Sequence, residues 1–508
     1  MLAPRLLKRE MDEVVPLDLL AVAMDPLISL RDGHNSSSRE SWVYQPRVYR
    51  SLEVFVADRV GDRGPCTSDP KLPGDPYRFR FSDGFCVSLR ITCPKPSDPD
   101  AIQVEKITRV VEWIKYFSAN TSIPMPHILS FSKDVSDVLP ILEVPFYLVE
   151  SMRRGKSLRS YLTALRESQT VSASRANEIR SNIYEQISQY YLELRRLTMD
   201  RIGSVSAHSS GKWEVTKRPF TGSMEYLLSH TPSYPMHEWP EEPFSSAEDY
   251  FWFMCEQNMT ALWGLRSLGV PRRLDPVADD VFAQWEDDEF NLDPEKVAKC
   301  ARLRFRARHG FLQLIKELAT REEYSKGPFV PAMPHLDWEL FRVDYDQRTG
   351  KINYVFEPTT INFLPLPFLC IPPPWLTLKP VMSYIDRNKF DSFIEQYEKE
   401  LPMFLGAMRT VEERLAGTET IQENEKPLSA LMLESWKTKR FWFHYALENI
   451  EAVDQLYYGV LYQLHPEGKP FELSPALEVE TEKYVEHSME QIYACRKDYD
   501  NFLKEVKD

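Results

Sequence analysis

His335-Leu336-Asp337 is the one triplet in this sequence that looks built for catalysis. By itself it says little, because the chain holds ten histidines and many aspartates, and chance sets such pairs side by side. Its surroundings say more. Gly327-Pro-Phe329 leads in, and Asp344 and Asp346 follow. A turn at Gln347-Arg-Thr-Gly350 then opens a strand, Lys351-Ile-Asn-Tyr-Val-Phe356. A loop carboxylate, followed by a hairpin whose second strand ends in a metal-ligand position, suits phosphoryl transfer. One group accepts the proton of an attacking hydroxyl, and the other holds the cation that neutralises phosphate. The plainer readings are a loop histidine bonded to backbone and a turn or cap aspartate.

Elements must hold such a loop in place. Residues 1–44 mix short apolar runs with polar residues and are expected to be poorly ordered. Gly61–Pro76 has four prolines and three glycines and reads as a loop. A hairpin follows. Tyr77-Arg-Phe-Arg-Phe81 and Phe85-Cys-Val-Ser-Leu-Arg-Ile91 alternate around a Ser82-Asp83-Gly84 turn. Phe79, Phe81, Phe85, Val87, Leu89 and Ile91 then share one face, with Arg78, Arg80, Ser88 and Arg90 on the other.

A helix over Val104–Phe117 and a strand at Pro145–Val149 complete this part. Beyond it Ile179, Ile183, Ile187, Tyr190, Leu194 and Leu197 mark a helical stripe. Ser245-Ser-Ala-Glu248 reads as a capping box. A strand-rich stretch near 330–370 interrupts the helices, which resume from about 383 to the end. Strands first and helices after give an α+β fold.

Composition sets outer bounds. The 508 residues are 43% hydrophobic, enough for a large core, and carry a formal net charge of -14. An acidic surface repels phosphate backbones and anionic lipid, so neither nucleic acid nor a membrane is an expected partner. Seven scattered cysteines without a CxxC pair suit reduced thiols and a cytoplasmic setting. No secretory signal or membrane-spanning run is evident. The acidic run Glu286–Glu295 lacks the spacing and glycine of a calcium loop and reads as a solvated turn. Trp436, Phe441, Trp442 and Phe443 read as helix-packing core.

Roughly 77–460 resembles the fungal branch of the aminoglycoside phosphotransferase and choline-kinase-like families. The resemblance rests on short motifs in order. These are the hairpin FRFSDGFCVSLRI, Asn120-Thr-Ser-Ile-Pro-Met-Pro126, Pro145-Phe-Tyr-Leu-Val-Glu-Ser-Met152, Asp200-Arg-Ile-Gly-Ser204, Gly327-Pro-Phe329, Pro372-Pro-Pro-Trp-Leu376 and Phe441-Trp-Phe-His-Tyr-Ala446. It implies a bilobal protein-kinase-like fold of the aminoglycoside phosphotransferase type. After the extension at 1–44 would come a small strand-rich N-lobe at 45–152 and a large helical C-lobe at 153–490, with the end of the C-terminal helix at 491–508. ATP is the implied nucleotide. Arg90 would contact it, Glu150 and Met152 would lie at the hinge beside adenine, and His335 and Asp337 would form the catalytic loop, with Asp337 as base.

Several positions depart from that pattern. The metal-ligand asparagine of the catalytic loop falls on Arg342, and the metal-ligand aspartate of the following strand on Val355, with Glu357 retained beyond it. The glutamate that partners the nucleotide-side cation falls on Val110, while Glu112, two residues on, would point elsewhere. Valine cannot ligate magnesium, so magnesium is not expected to be held as in the family. Arg342 could meet phosphate directly or pair with Asp344 or Glu339 at the surface, and Asp344 or Glu357 could recruit a displaced metal. The expectation is a pseudokinase that binds a nucleotide weakly or not at all and acts by binding a small-molecule ligand or a protein partner. The alternative is an active phosphotransferase acting on a small-molecule hydroxyl.

Overall fold

In the computed structural model, which describes residues 46–68, 77–91, 100–139, 143–151, 156–168, 170–208, 210–231, 234–266, 294–325, 327–332, 341–343, 349–355, 360–385, 389–417 and 425–507, helix α1 (Pro46–Val60) precedes three antiparallel strands. These are β1 (Cys66–Ser68), β2 (Arg78–Phe81) and β3 (Cys86–Ile91). Asp83 and Gly84 set the β2–β3 turn. The Asp83 carboxylate accepts the Phe85 N–H at 2.8 Å, and Gly84 adopts φ of 84°, where a side chain would be strained. Helix α2 (Asp100–Asn120) leads to β4 (Ile128–Phe131) and β5 (Phe146–Glu150), and the sheet order is β1-β2-β3-β5-β4.

Alternation along the strands sorts the two faces of this sheet. Phe79, Phe81, Val87, Leu89, Phe146 and Leu148 pack on Val48, Leu52 and Val56, which recur every fourth residue along α1. Tyr147 and Val149 point the other way, onto Ile107, Val110, Val111 and Ile114 of α2. Burying each such side chain stabilises the fold by about 1.5–3 kcal/mol relative to exposure. The sheet is thereby held between two helices.

The rest is mostly helical. β6 (Lys156–Ser157) runs into α3 (Leu158–Glu167), whose first turn is capped by Ser157 Oγ accepting the Ser160 N–H at 3.2 Å. In α4 (Ala173–Arg196) Ile179, Ile183, Ile187 and Leu194 are buried. Tyr190 and Leu197 lie half-buried against the same core. The hairpin β7 (Ser204–Ala207) and β8 (Trp213–Lys217) and the helices α5 (Gly222–His230), α6 (Ala247–Gly264), α7 (Pro294–Ala319) and α8 (Glu322–Ser325) follow. The capping box expected at Ser245 and Glu248 lies one residue later. Ser246 Oγ accepts the Asp249 N–H at 3.1 Å and donates to the Asp249 carboxylate at 2.8 Å. Both pairs have the required spacing, and the helix uses the one that turns Tyr250, Phe251 and Met254 inward.

The strand-rich interruption comprises β9 (Val330–Ala332), β10 (Phe341–Val343), β11 (Ile352–Val355) and β12 (Asn362–Leu364). β9 pairs with β12, and β10 lies between β11 and β6. Among the described residues six α-helices follow: α9 (Met382–Ile385), α10 (Phe390–Leu415), α11 (Leu428–Lys437), α12 (Arg440–Glu448), α13 (Val453–Gly459) and α14 (Pro475–Lys507). The C-terminal aromatic group is packing core, with ring centres 5.2 Å apart between Trp436 and Phe441 and 5.0 Å between Phe441 and Trp442.

Between α6, α7 and α13, Asp454 accepts two hydrogen bonds from Arg308, at 2.5 and 3.2 Å, with Arg304 at 3.7 Å. The six described cysteines are buried and none forms a disulfide, and Cys93 lies outside the described residues. So does the acidic run except for Pro294 and Glu295, which begin α7. Among the described residues no helix is long and apolar enough to cross a membrane.

Candidate functional site

The site predicted from sequence centres on the β10–β11 hairpin. Arg342 lies in β10, opposite Tyr354 on one side and Ser157 of β6 on the other. Val355 ends β11 opposite Phe341, its N–H donating to the Pro124 carbonyl at 2.9 Å, and it is 4% exposed within the main core. Directly opposed residues of an antiparallel pair share a face, so positions 342 and 355 fall on opposite faces of the ladder. Neither an arginine nor a valine offers magnesium an oxygen ligand. His335, Asp337, Asp344, Asp346, Glu357 and Met152 lie outside the described residues.

Helix α2 has two faces with different chemistry. Val110 occupies the sheet-facing side, packed with Tyr147 and Val149. Glu112 points instead at the β7–β8 hairpin, where it accepts the Ala207 N–H at 3.1 Å and lies 3.5 Å from Lys115. Glu105 is engaged by Arg218, with the Nε bond at 3.1 Å. No carboxylate of the helix centre is turned to the sheet.

Arg90 lies on β3 opposite Tyr147 and is half-buried. On the same face Ser88 stands between Arg78 of β2 and Val149 of β5. Glu150 ends β5 opposite Val87, with an exposed side chain and its backbone N–H bonded to the His127 carbonyl at 3.0 Å. Position 150 therefore belongs to the other face from Arg90. Arg78, Ser88 and Arg90 share the inner face of β2 and β3.

No family model matches the chain, and no curated protein matches it in sequence. Among solved structures it is similar to the GDP and kanamycin complex of APH(2")-IIia, at 8% identity, over 89% of this chain and 99% of that one, with a TM-score of 0.35. A score of this size leaves the site to be read from its own residues.

Those residues include a junction that sequence reasoning missed. Arg109 of α2 is 0% exposed. It donates to the Arg218 carbonyl at 2.7 Å and to Asn362 Oδ1 at 2.8 Å, with the Glu105 carboxylate at 3.9 Å. Asn362 also takes the Phe220 N–H at 3.1 Å and donates back to the Phe220 carbonyl at 2.9 Å. One turn along, Trp113 stacks on Phe363 with ring centres 5.4 Å apart, and Tyr116 meets both Phe363 and Trp213. Burial brings the Arg109 guanidinium down to about 10, with Glu105 opposing the fall. Burial also lowers Lys217 nearby, Glu112 opposing it.

Glycine is required where this junction meets β12. Gly203 and Phe363 exchange backbone bonds of 3.3 and 2.8 Å, and a Cβ on Gly203 would lie 2.3 Å from the Lys217 carbonyl oxygen. The one available signal was a charged residue inside the apolar run Ile107-Thr-Arg-Val-Val111.

Proposed function

We propose that this chain is a kinase-fold protein of the aminoglycoside phosphotransferase type in which metal-dependent phosphoryl transfer has been lost and ligand or protein binding is retained. The order of elements supports the fold: three antiparallel strands, a helix, two more strands, then a helical region interrupted by a strand hairpin. One observation carries the loss of transfer. The sheet-facing side of α2 is wholly apolar at Ile107, Val110, Val111 and Ile114, while Glu105 and Glu112 serve the junction with β7, β8 and Arg218. A phosphate-orienting cation on β3 would thus receive no carboxylate from this helix, and positional control of phosphate depends on such partners. The burial of Val355 in the core points the same way.

The second reading is an active ATP-dependent phosphotransferase with Asp337 as base. With Arg342 and Val355 at the two positions on the hairpin, such an enzyme would draw its metal ligands from carboxylates elsewhere. A single experiment separates the readings. Melting of the full chain is followed with ATP, in EDTA and in excess magnesium, alongside transfer of the terminal phosphate of labelled ATP to water or added alcohols. Ligand binding raises the melting temperature by linkage, whatever the acceptor. The proposal expects any ATP-induced shift to persist in EDTA and no label to be transferred. A shift that needs magnesium, or transferred label, overturns it.

A further inference from the structure

Three helix ends leave a cavity of about 810 Å³ between them. Helices α4 and α10 finish on it, and α11 starts from it. Leu192 of α4 and Leu428 and Leu433 of α11 give it apolar walls. A volume of this order, lined mainly by apolar groups with a few placed polar ones, suits a small-molecule ligand. The β10–β11 hairpin is held elsewhere on α4, near its middle, where Gln186 donates to the Gly350 carbonyl at 3.0 Å.

The charged groups around the cavity divide into engaged and unengaged. Glu412 is buried and accepts the Ser429 N–H at 2.9 Å and the Ser429 hydroxyl at 2.5 Å, satisfying the start of α11. Arg195 donates to the Lys426 carbonyl at 2.9 Å and lies 3.4 Å from Glu425. Arg409 and Glu413 remain. Both line the cavity and are exposed, and neither makes a hydrogen bond or an ion pair among the described residues.

These two stand one turn apart on α10, where Cβ atoms are about 5–6 Å from each other and opposite charges can pair. They do not pair. Base before acid is the weaker order for such a pair, and the Arg409 guanidinium lies back along the helix, 4.0 Å from where a Cβ on Gly406 would stand. One cation and one anion are thus left open on the rim of an apolar cavity. A molecule that carries both charges on an apolar body answers all three features.

We infer that this cavity binds an apolar zwitterion, a free amino acid or short peptide with large apolar side chains, through Arg409 at its carboxylate and Glu413 at its ammonium. The guanidinium fork matches a carboxylate, and the leucine walls cover the apolar body. The site shares no residue with the hairpin or the N-terminal sheet, so it does not rest on the loss of phosphoryl transfer.

The test titrates the full chain by calorimetry with four probes. Phenylalanine and leucylphenylalanine are zwitterions of two lengths. Phenethylamine and hydrocinnamate keep the ring and one charge each. The better zwitterion is expected to bind about two- to fivefold more tightly than either singly charged probe, the scale of one exposed ion pair, and its length identifies the ligand class. Arg409→Gln should weaken the zwitterions and hydrocinnamate and leave phenethylamine unchanged. Glu413→Gln should weaken the zwitterions and phenethylamine and leave hydrocinnamate unchanged. Both changes are at exposed positions, so the urea midpoint should stay where it is. Ala430→Phe, on the cavity wall, should abolish binding of all four probes by filling the space.

Absence of zwitterion binding overturns the inference, as do equal affinities for all four probes or charge variants that discriminate between none of them. Undiminished binding by a folded Ala430→Phe chain overturns it too. If that variant melts early, the two charge variants carry the test alone. Transfer of phosphate from ATP would overturn the proposed function and leave this result standing.

Discussion

At the junction between sheet and helices, Arg109 is surrounded by carbonyl oxygens, whereas in the helical part Arg308 is gripped by a carboxylate. Asp454 meets Arg308 with both oxygens and has Arg304 beside it, all three nearly solvent-free. Glu105 comes no nearer than 3.9 Å to Arg109, and the direct acceptors are the Arg218 carbonyl and the Asn362 amide. One cluster balances formal charges in contact, and the other solvates a charge with dipoles. Depth is the same in both. The difference teaches that deleting a partner should cost most where it strands an opposite charge, and less where it removes a charge held by neutral groups.

The largest effect is expected from Asp454→Ala, which leaves two buried arginines without their carboxylate. It should lower the unfolding free energy in urea by about 3–5 kcal/mol. An unchanged midpoint would break the comparison from that side.

Next is Glu448 at the end of α12, an anion held only by dipoles. Burial pushes its carboxyl up to about 7, with the Gly222 N–H opposing the rise, and one of its oxygens has no partner among the described residues. Below pH 4.5 both the folded and unfolded carboxyls are protonated and no penalty arises. As pH climbs from 4.5 through 7 the unfolded form ionises first, so stability falls, on the order of 3 kcal/mol in all, and then levels off. Glu448→Gln should flatten that slope in urea titrations run from pH 4.5 to 8. A slope unchanged in the variant would assign it to other groups.

The smallest effect is expected from Arg109→Met, about 1–3 kcal/mol by the same denaturation, because Asn362 keeps its two bonds to Phe220. A loss equal to that of Asp454→Ala would erase the distinction between the two clusters.

What the sequence disclosed followed how local each signal was. Alternation over Phe79–Ile91 sorted one sheet face correctly because period two needs only neighbours. The stripe from Ile179 to Leu197 worked for the same reason at helical period. The capping box slipped by one residue because two serine–acid pairs stand one step apart.

The hairpin was harder. Arg342 was reached by counting from His335 and Asp337, and Val355 as the end of the next strand; the register sets the two on opposite faces, with a bulge between Arg342 and Val343, a detail that spacing along the chain does not carry. Arg109 and Asn362 gave no local pattern at all, since a hydrogen bond between distant segments leaves no period. Of the expected site residues, Arg90, Glu150 and the backbone of Arg342 are placed, and His335, Asp337, Asp344, Glu357 and Met152 lie outside the described residues.

The Arg109–Asn362 bond spans 253 residues, and the stacking of Trp113 on Phe363 spans nearly as many. At ordinary rates of synthesis, about 5–20 residues per second, α2 leaves the ribosome roughly 10–50 s before its partner strand exists. Throughout that interval water solvates the guanidinium, and the rings of Trp113 and Tyr116 lack their cover from Phe363. One face of α2 can dock early on Tyr147 and Val149, but its other face waits for β12, so the nascent chain passes through a stage that needs shielding from other chains.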